Sequence, residues 1–286
     1  MIRLATYHDI PALKHIRKIC FGESEAYSAF YFATRFTENN TLTYLEQDSP
    51  VASLTLLDAE LLTADGHVFP VAYVYSVATL PNWRGRGIAA ALSKYADDYL
   101  QARGVAASLL VPASAPLFDY YAKLGYETKF FVEKYEAACT DKESDTVLQA
   151  SELEVGDYFR LRKEAYSGGG YYVQWSTDAL DFALQDCRLT GGLAYRLHTA
   201  AREGFLLAYP MSDNTVIVKE SWLDGDLYPL AVRLLQQKFG THRKYIFYAM
   251  QRPETVTAQP FGMIKCYTGK ALPLQGNIPY FGLAKD

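Results

Sequence analysis

The chain has 286 residues, half of them hydrophobic, with a net charge of −4. At roughly 100–200 residues per domain, this length fits two domains with sizeable cores and excludes a disordered chain. The acidic balance argues against a nucleic-acid partner and is compatible with a cationic substrate. Cys20, Cys139, Cys187 and Cys266 are scattered without a CxxC pair, and the five histidines show no ligand spacing. No metal site is therefore expected, and the thiols read as reduced. The start, MIRLATYHDIP, has no signal-peptide pattern, and no apolar run nears the ~20 residues that span a bilayer. A cytoplasmic protein with no membrane partner is the expectation.

In chain order, residues 2–6 read as a short strand. A helix follows, with Asp9 as N-cap, Pro11 in its first turn, and Ile10, Leu13, Ile16 and Ile19 at helical spacing up to Phe21-Gly22. A second helix is predicted over 23–36. Its aromatics Tyr27, Phe30, Tyr31 and Phe36 are assigned to packing on the sheet ahead of a substrate cleft. Residues 41–46 and 51–57 form a predicted hairpin around Gln47-Asp48-Ser49-Pro50.

An apolar run over 71–80 ends at Pro81 and leads through Asn82-Trp83-Arg84-Gly85-Arg86-Gly87 into a helix from Ile88. A buried strand, a glycine-arginine turn and a helix start together make an anion cradle. The helix face is expected to be Ile88, Leu92, Tyr95 and Tyr99, with a stop at Arg103-Gly104. A strand over 107–111, a helix with Leu117, Tyr120, Tyr121 and Leu124 on one side, and a strand over 126–135 complete the first half. The charged segment 140–145 is the candidate linker. Beyond it the order repeats: strand 146–149, helix 152–166, the glycine loop 167–170, helix 177–187, strands, helix 227–239, strand 244–250.

Arg84-x-x-Gly87-x-Ala89, entered from a strand and opening a helix, resembles the acetyl-CoA-binding motif of the GCN5-related N-acetyltransferases (GNAT). Tyr121-Ala122-Lys123-Leu124-Gly125-Tyr126 resembles the family's later tyrosine motif. Ser76-Val77-Ala78, Pro81 and the loop to Gly87 resemble more closely the enhanced intracellular survival (Eis) acetyltransferases. Those carry a second, degenerate GNAT domain and a third, sterol-carrier-like domain, for which this chain is too short. The resemblance implies an α+β fold of tandem GNAT-like domains, each a mixed, mostly antiparallel sheet flanked by helices. It places a catalytic domain at 1–138, a linker at 139–145, and a degenerate domain with a C-terminal tail at 146–286. A homo-oligomer is also implied.

The implied activity is N-acetyl transfer from acetyl-CoA to a primary amine by direct attack, the acceptor being a small molecule or a peptide. A CoA-binding sensor or scaffold without turnover is the alternative. By resemblance, Val77, Ala78 and Thr79 lend backbone groups to the pantetheine arm. The backbone of Arg84, Gly85, Arg86, Gly87, Ile88 and Ala89 holds the pyrophosphate, and Ser114 contacts the cofactor further along. A strand whose neighbour splays away would leave amides for such an extended arm.

Tyr121 is the implied general acid. Tyr120, about 100° around the helix, is not expected to share its site. Deprotonating an amine of pKa near 10.4 at pH 7 costs about 4–5 kcal/mol, yet the strand over 73–76 holds no carboxylate. By resemblance, the C-terminal carboxylate of Asp286 is the base. Glu23, Glu25 and Asp119 are alternatives, each read first as a surface charge. The second half's counterpart of the cradle, residues 216–227, carries Glu220, Asp224 and Asp226 and no arginine, so it is not expected to bind CoA.

Overall fold

The computed structural model describes residues 1–63, 65–137, 146–167, 170–250 and 258–267, with 272, 274 and 282. The first half runs β1 (Ile2–Leu4), α1 (Ile10–Phe21), α2 (Glu25–Thr34), β2 (Thr41–Glu46), β3 (Ser49–Leu62), β4 (Val68–Thr79), α3 (Ile88–Ala102), β5 (Ala107–Leu110), α4 (Ala115–Lys123) and β6 (Glu127–Glu136). The second half runs β7 (Gln149–Glu152), α5 (Val155–Tyr166), β8 (Tyr172–Gln174), α6 (Thr177–Leu189), β9 (Leu193–His198), β10 (Glu203–Pro210), β11 (Thr215–Trp222), α7 (Leu227–Phe239), β12 (Lys244–Met250) and β13 (Gln259–Cys266). The linker 139–145 with Cys139, the glycines 168–169 and the tail residue Asp286 lie outside the described residues. No helix among the described residues is long and apolar enough to cross a membrane.

Local chemistry accounts for the first elements. Pro11 sits in the first turn of α1, and Gly22 ends that helix in the left-handed region at φ 69°. Asp9 does not cap α1. Its carboxylate accepts from Arg3 at 2.6 and 2.9 Å and from the Thr6 backbone N–H at 2.7 Å, closing the preceding turn. Ser24 caps α2, its Oγ accepting from the Tyr27 N–H at 3.1 Å. The buried face of α3 is Ile88, Leu92, Ala96 and Leu100, while Tyr95 is exposed. A strict four-residue step keeps the smaller side chains against the sheet and turns Tyr95 outward, while Tyr99 packs at the core's edge.

The strands form one continuous sheet in the order β1-β2-β3-β4-β5-β13-β6-β12-β11-β10-β9-β7, with β8 beside β3. It is mixed and mostly antiparallel. The parallel pairs β4–β5 and β11–β12 each enclose one helix, α3 or α7, so the two halves share one plan. β13, absent from the sequence reading, returns to the first half and lies antiparallel between β5 and β6. β6 in turn pairs with β12. A single apolar core crosses the boundary, joining Tyr73 and Leu109 to Tyr158, Leu180 and Phe205. On its edge, Phe30 of α2 stacks on Phe182 of α6, centroids 5.1 Å apart.

Candidate active site

β4 and β5 pair only through Val71↔Ala107, Ala72↔Ser108 and Tyr73↔Leu109. Beyond Tyr73, β4 continues to Thr79 while the chain after Leu110 turns away toward α4, so the sheet opens into a V. The register of β3 on β4 slips between Ser53↔Ala78 and Thr55↔Tyr75, one residue more on β4 than on β3. This bulge holds Ser76 at φ 58°, an unusual conformation for a serine. Its hydroxyl accepts from Arg17 Nη1 at 2.7 Å, which pins the bulge to α1. The bulge re-aims Val77–Thr79 along the open edge.

The V holds a chain of three cavities. The outermost, about 590 Å³, is walled by Val77, Ala78, Thr79, Arg84, Gly85 and Gly87, then by Ile88 and Ala89, with Tyr120 and Tyr121 opposite. Gly85 and Gly87 sit at φ 74° and 75°, with open space where a Cβ would project. Only glycine takes these conformations without strain, and the empty space lets a ligand reach the start of α3. Thr79 Oγ1 is buried here without a hydrogen-bond partner among the described residues. An extended thioester with a diphosphate fits this arrangement: an open strand edge, an orphaned hydroxyl and a glycine-lined helix start.

The cradle arginines act differently from each other. Arg84 Nε donates to the Thr79 carbonyl at 3.0 Å, tying the loop to the strand end. Arg86 stacks on Trp83 at 4.7 Å and donates to the Asn82 carbonyl at 3.2 Å, outside the cavity lining. Ser114 is the exposed N-cap of α4 and also lies outside it.

The middle cavity, about 370 Å³, shares Phe21, Val77, Leu117 and Tyr121 with the outer one. Tyr121 therefore stands at their junction. It is buried, and burial pushes its phenol up to about 12. Tyr120 also lines the outer cavity, its ring edge-on to Tyr121 at 5.1 Å. Adjacent helical positions reach one cavity because it wraps the end of α4. Glu23 lines the middle cavity, contrary to its reading as a surface charge. Both its oxygens accept from Arg17, Oε2 from Nε at 2.7 Å and Oε1 from Nη2 at 2.6 Å. Arg17 is buried on the face of Tyr31, 3.7 Å from its centroid. Glu25 and Asp119 are exposed.

The innermost cavity, about 290 Å³, lies between the halves and shares Tyr73, Tyr75, Thr190 and Lys219 with the middle one. Tyr31, Arg35 and Leu57 come to it from the first half. Trp175, Phe182 and Asp186 come from the second. Of the aromatics assigned to the second helix, Tyr31 and Tyr27 thus line the cavities, whereas Phe36 lies beyond the end of α2 and packs in a small core with Leu13, Ile16 and Ala78. The second-half side chains carry no local motif and were invisible in the sequence.

The equivalent V of the second half is built differently. Gly225, before α7, is covered by Arg202, whose Nε would lie 2.9 Å from a Cβ there. Glu220 is not in the turn. It is fully buried and pairs with Arg162 at 2.9 Å while accepting from the Tyr158 hydroxyl.

Residues 1–129 match the family model for the acetyltransferase (GNAT) domain. No curated protein matches the chain. Among solved structures, a GCN5-related N-acetyltransferase from Anabaena variabilis is similar at 16% identity and TM-score 0.70, over 92% of this chain and 72% of that one. Eis1 from Mycobacterium abscessus is similar at 14% identity and TM-score 0.67, over 93% and 73%. A GCN5-related N-acetyltransferase from Sphaerobacter thermophilus is similar at 14% identity and TM-score 0.55, over 93% and 95%. The chain has the GNAT superfamily fold, and the likeness extends through both halves.

Proposed function

We propose that the protein is an N-acetyltransferase that moves an acetyl group from acetyl-CoA to a primary amine. The observation that carries this reading is Tyr121 at the junction of the outer and middle cavities, facing the bulged strand across the V. In this scheme the pantetheine arm lies along Val77–Thr79, and the diphosphate meets the backbone between Arg84 and Ala89. The tetrahedral oxyanion receives backbone N–H groups of the Val77–Thr79 edge. Tyr121 donates a proton to the departing thiolate, and its raised pKa keeps that proton in place at neutral pH.

The amine enters from the middle cavity, where Glu23 attracts the ammonium form. Because Arg17 occupies both Glu23 oxygens, Glu23 orients the amine and the proton leaves through water or another base. The base expected at Asp286 lies outside the described residues. The second half closes the acceptor side and does not bind CoA, since its helix start carries Asp224 and Asp226 and Arg202 there is paired with Asp226 at 3.5 Å. The two-domain likeness to Eis1 supports an Eis-type relationship.

The test is direct. Purified protein should bind acetyl-CoA and release CoA thiol with at least one primary amine from a panel of polyamines, aminoglycosides and peptides. Binding without thiol release from any amine would leave a cofactor sensor.

A further inference from the structure

The innermost cavity holds a charge that acetyl transfer does not use. Arg35 follows α2 as its C-cap, with its guanidinium 5.4 Å from the centroid of the Phe182 ring. Its Nε is buried without a hydrogen-bond acceptor among the described residues. No carboxylate among them forms an ion pair with it, and Asp178 acts on it only through space. Burial lowers the Arg35 pKa, opposed by Tyr31, Asp178 and Tyr75. Arg35 as a whole is half-buried, and the two fully buried guanidiniums among the described residues are matched: Arg17 holds Glu23 and Arg162 holds Glu220.

Taking a guanidinium out of water without a counter-ion is costly, and its planar fork is shaped for a carboxylate. The other charges facing the cavity leave it positive. Lys219 lines it 5.3 Å from the Tyr209 centroid. Asp186 is the facing acid, and burial raises its pKa to about 7, with Lys219 opposing. Arg35 and Lys219 thus line the cavity with Asp186 as the one acid among its described lining residues, and Asp178 lies near Arg35 outside it. The walls between them and Tyr121 are aromatic: Tyr31, Tyr73, Tyr75 and Trp175.

We propose that the acetyl acceptor is an amino acid in the broad sense. Its reacting amine lies at Tyr121 in the middle cavity, an apolar or aromatic body fills the channel, and a carboxylate at the far end is received by Arg35. This rests on the acetyltransferase reading above. Such an acceptor is cationic at the amine, beside Glu23, and anionic at its far end, beside Arg35.

The experiment compares ω-amino acids of increasing length, with and without a ring, against their methyl esters, using CoA thiol release by the full chain. The acids should exceed their esters in kcat/KM by about 10- to 100-fold at one or more lengths, the range expected of a charge-assisted hydrogen-bonded pair. In Arg35→Gln the acid-to-ester ratio should collapse toward one through KM, and Arg35→Lys should keep part of it. Esters equal to acids at every length, or a ratio that survives Arg35→Gln, would overturn the proposal.

A second measurement needs no turnover. Hexanoate and 4-phenylbutanoate, which lack an amine, are titrated into the full chain by calorimetry beside their amides. The carboxylates should bind at least tenfold more tightly to the wild type than to Arg35→Gln, and the amides should bind both alike. Equal carboxylate binding to the two proteins would sink the anion site. Binding that depends on Arg35, with no thiol release from any amine, would keep the site and sink the acetyltransferase reading. Arg35 makes no side-chain hydrogen bond within the described residues, so Arg35→Gln should fold, as melting temperature will show.

Discussion

Tyr121 stands where the two reactants would meet, and its chemistry can be separated from its packing. Phenylalanine keeps the ring against Tyr120 and Tyr126 and removes only the hydroxyl. Tyr121→Phe should lower kcat by about 10²–10⁴, the usual worth of a positioned acid, with acetyl-CoA affinity changed less than about twofold. An equal loss of affinity, read by calorimetry, would make the residue structural. With the phenol at about 12, a rising limb in the pH–rate profile between 6 and 9 does not belong to Tyr121, and one that persists in Asp186→Asn belongs to the amine. Asp186 gives a different readout. Its folded pKa of about 7 lies above the usual carboxylate value, so the folded state holds its proton where the unfolded chain has lost it. Stability should therefore fall as pH rises from about 4 through 7. Asp186→Asn should flatten that slope, measured as denaturation midpoints at pH 5 and 8. Tyr121 was legible because a motif and a turn mark it. Arg17 was not, although it lies one turn after Leu13 and so on the buried stripe. A charged residue on an apolar stripe is the signal that would have found it, and Ile19, counted on that stripe, is exposed.

At the level of elements, the two halves use the same strand-turn-helix unit for opposite ends. In the first, Gly87 at φ 75° opens α3 to a ligand. Gly87→Ala should weaken acetyl-CoA binding by about tenfold through backbone strain, with fold retained by circular dichroism. In the second, the Arg162–Glu220 pair clamps α5 onto β11, with Arg162 Nη1 also donating to the Val173 carbonyl at 3.0 Å. Arg162→Met leaves a buried carboxylate and should cost about 3–5 kcal/mol. Arg162→Met with Glu220→Leu should recover much of that loss, because the stranded charge is gone. A double variant no more stable than the single one in urea would show that the pair does more than balance charge. The strand, turn and helix of each unit were visible in the sequence because periodicity and glycine placement are local. The role of Glu220 was not, since its partner lies 58 residues away, on helix α5.

Across the molecule, β13 decides whether the halves are separable. It fills the gap between β5 and β6, so the first sheet is incomplete without a strand from the far end of the chain. The sequence hid this because QPFGMIKC is short, broken by Pro260 and Gly262, and pairs with residues distant in sequence. The tandem order itself was readable, since each half repeats local patterns. Lys265 fastens the strand further, donating to Asp97 of α3 at 2.6 Å and to the Leu124 carbonyl after α4 at 2.6 Å. A polypeptide cut before Gln259 would expose the edges of β5 and β6 and the apolar surface under Met263 and Ile264, which are buried in two different cores. The intact chain should therefore melt in one calorimetric transition, and the shortened chain should lose cooperative unfolding in both halves. Adding a peptide of residues 258–267 should restore part of the transition, because strand pairing supplies its own register. Two separate transitions in the intact chain, with the second unaffected by the cut, would mean that each half folds alone and that β13 only decorates the first.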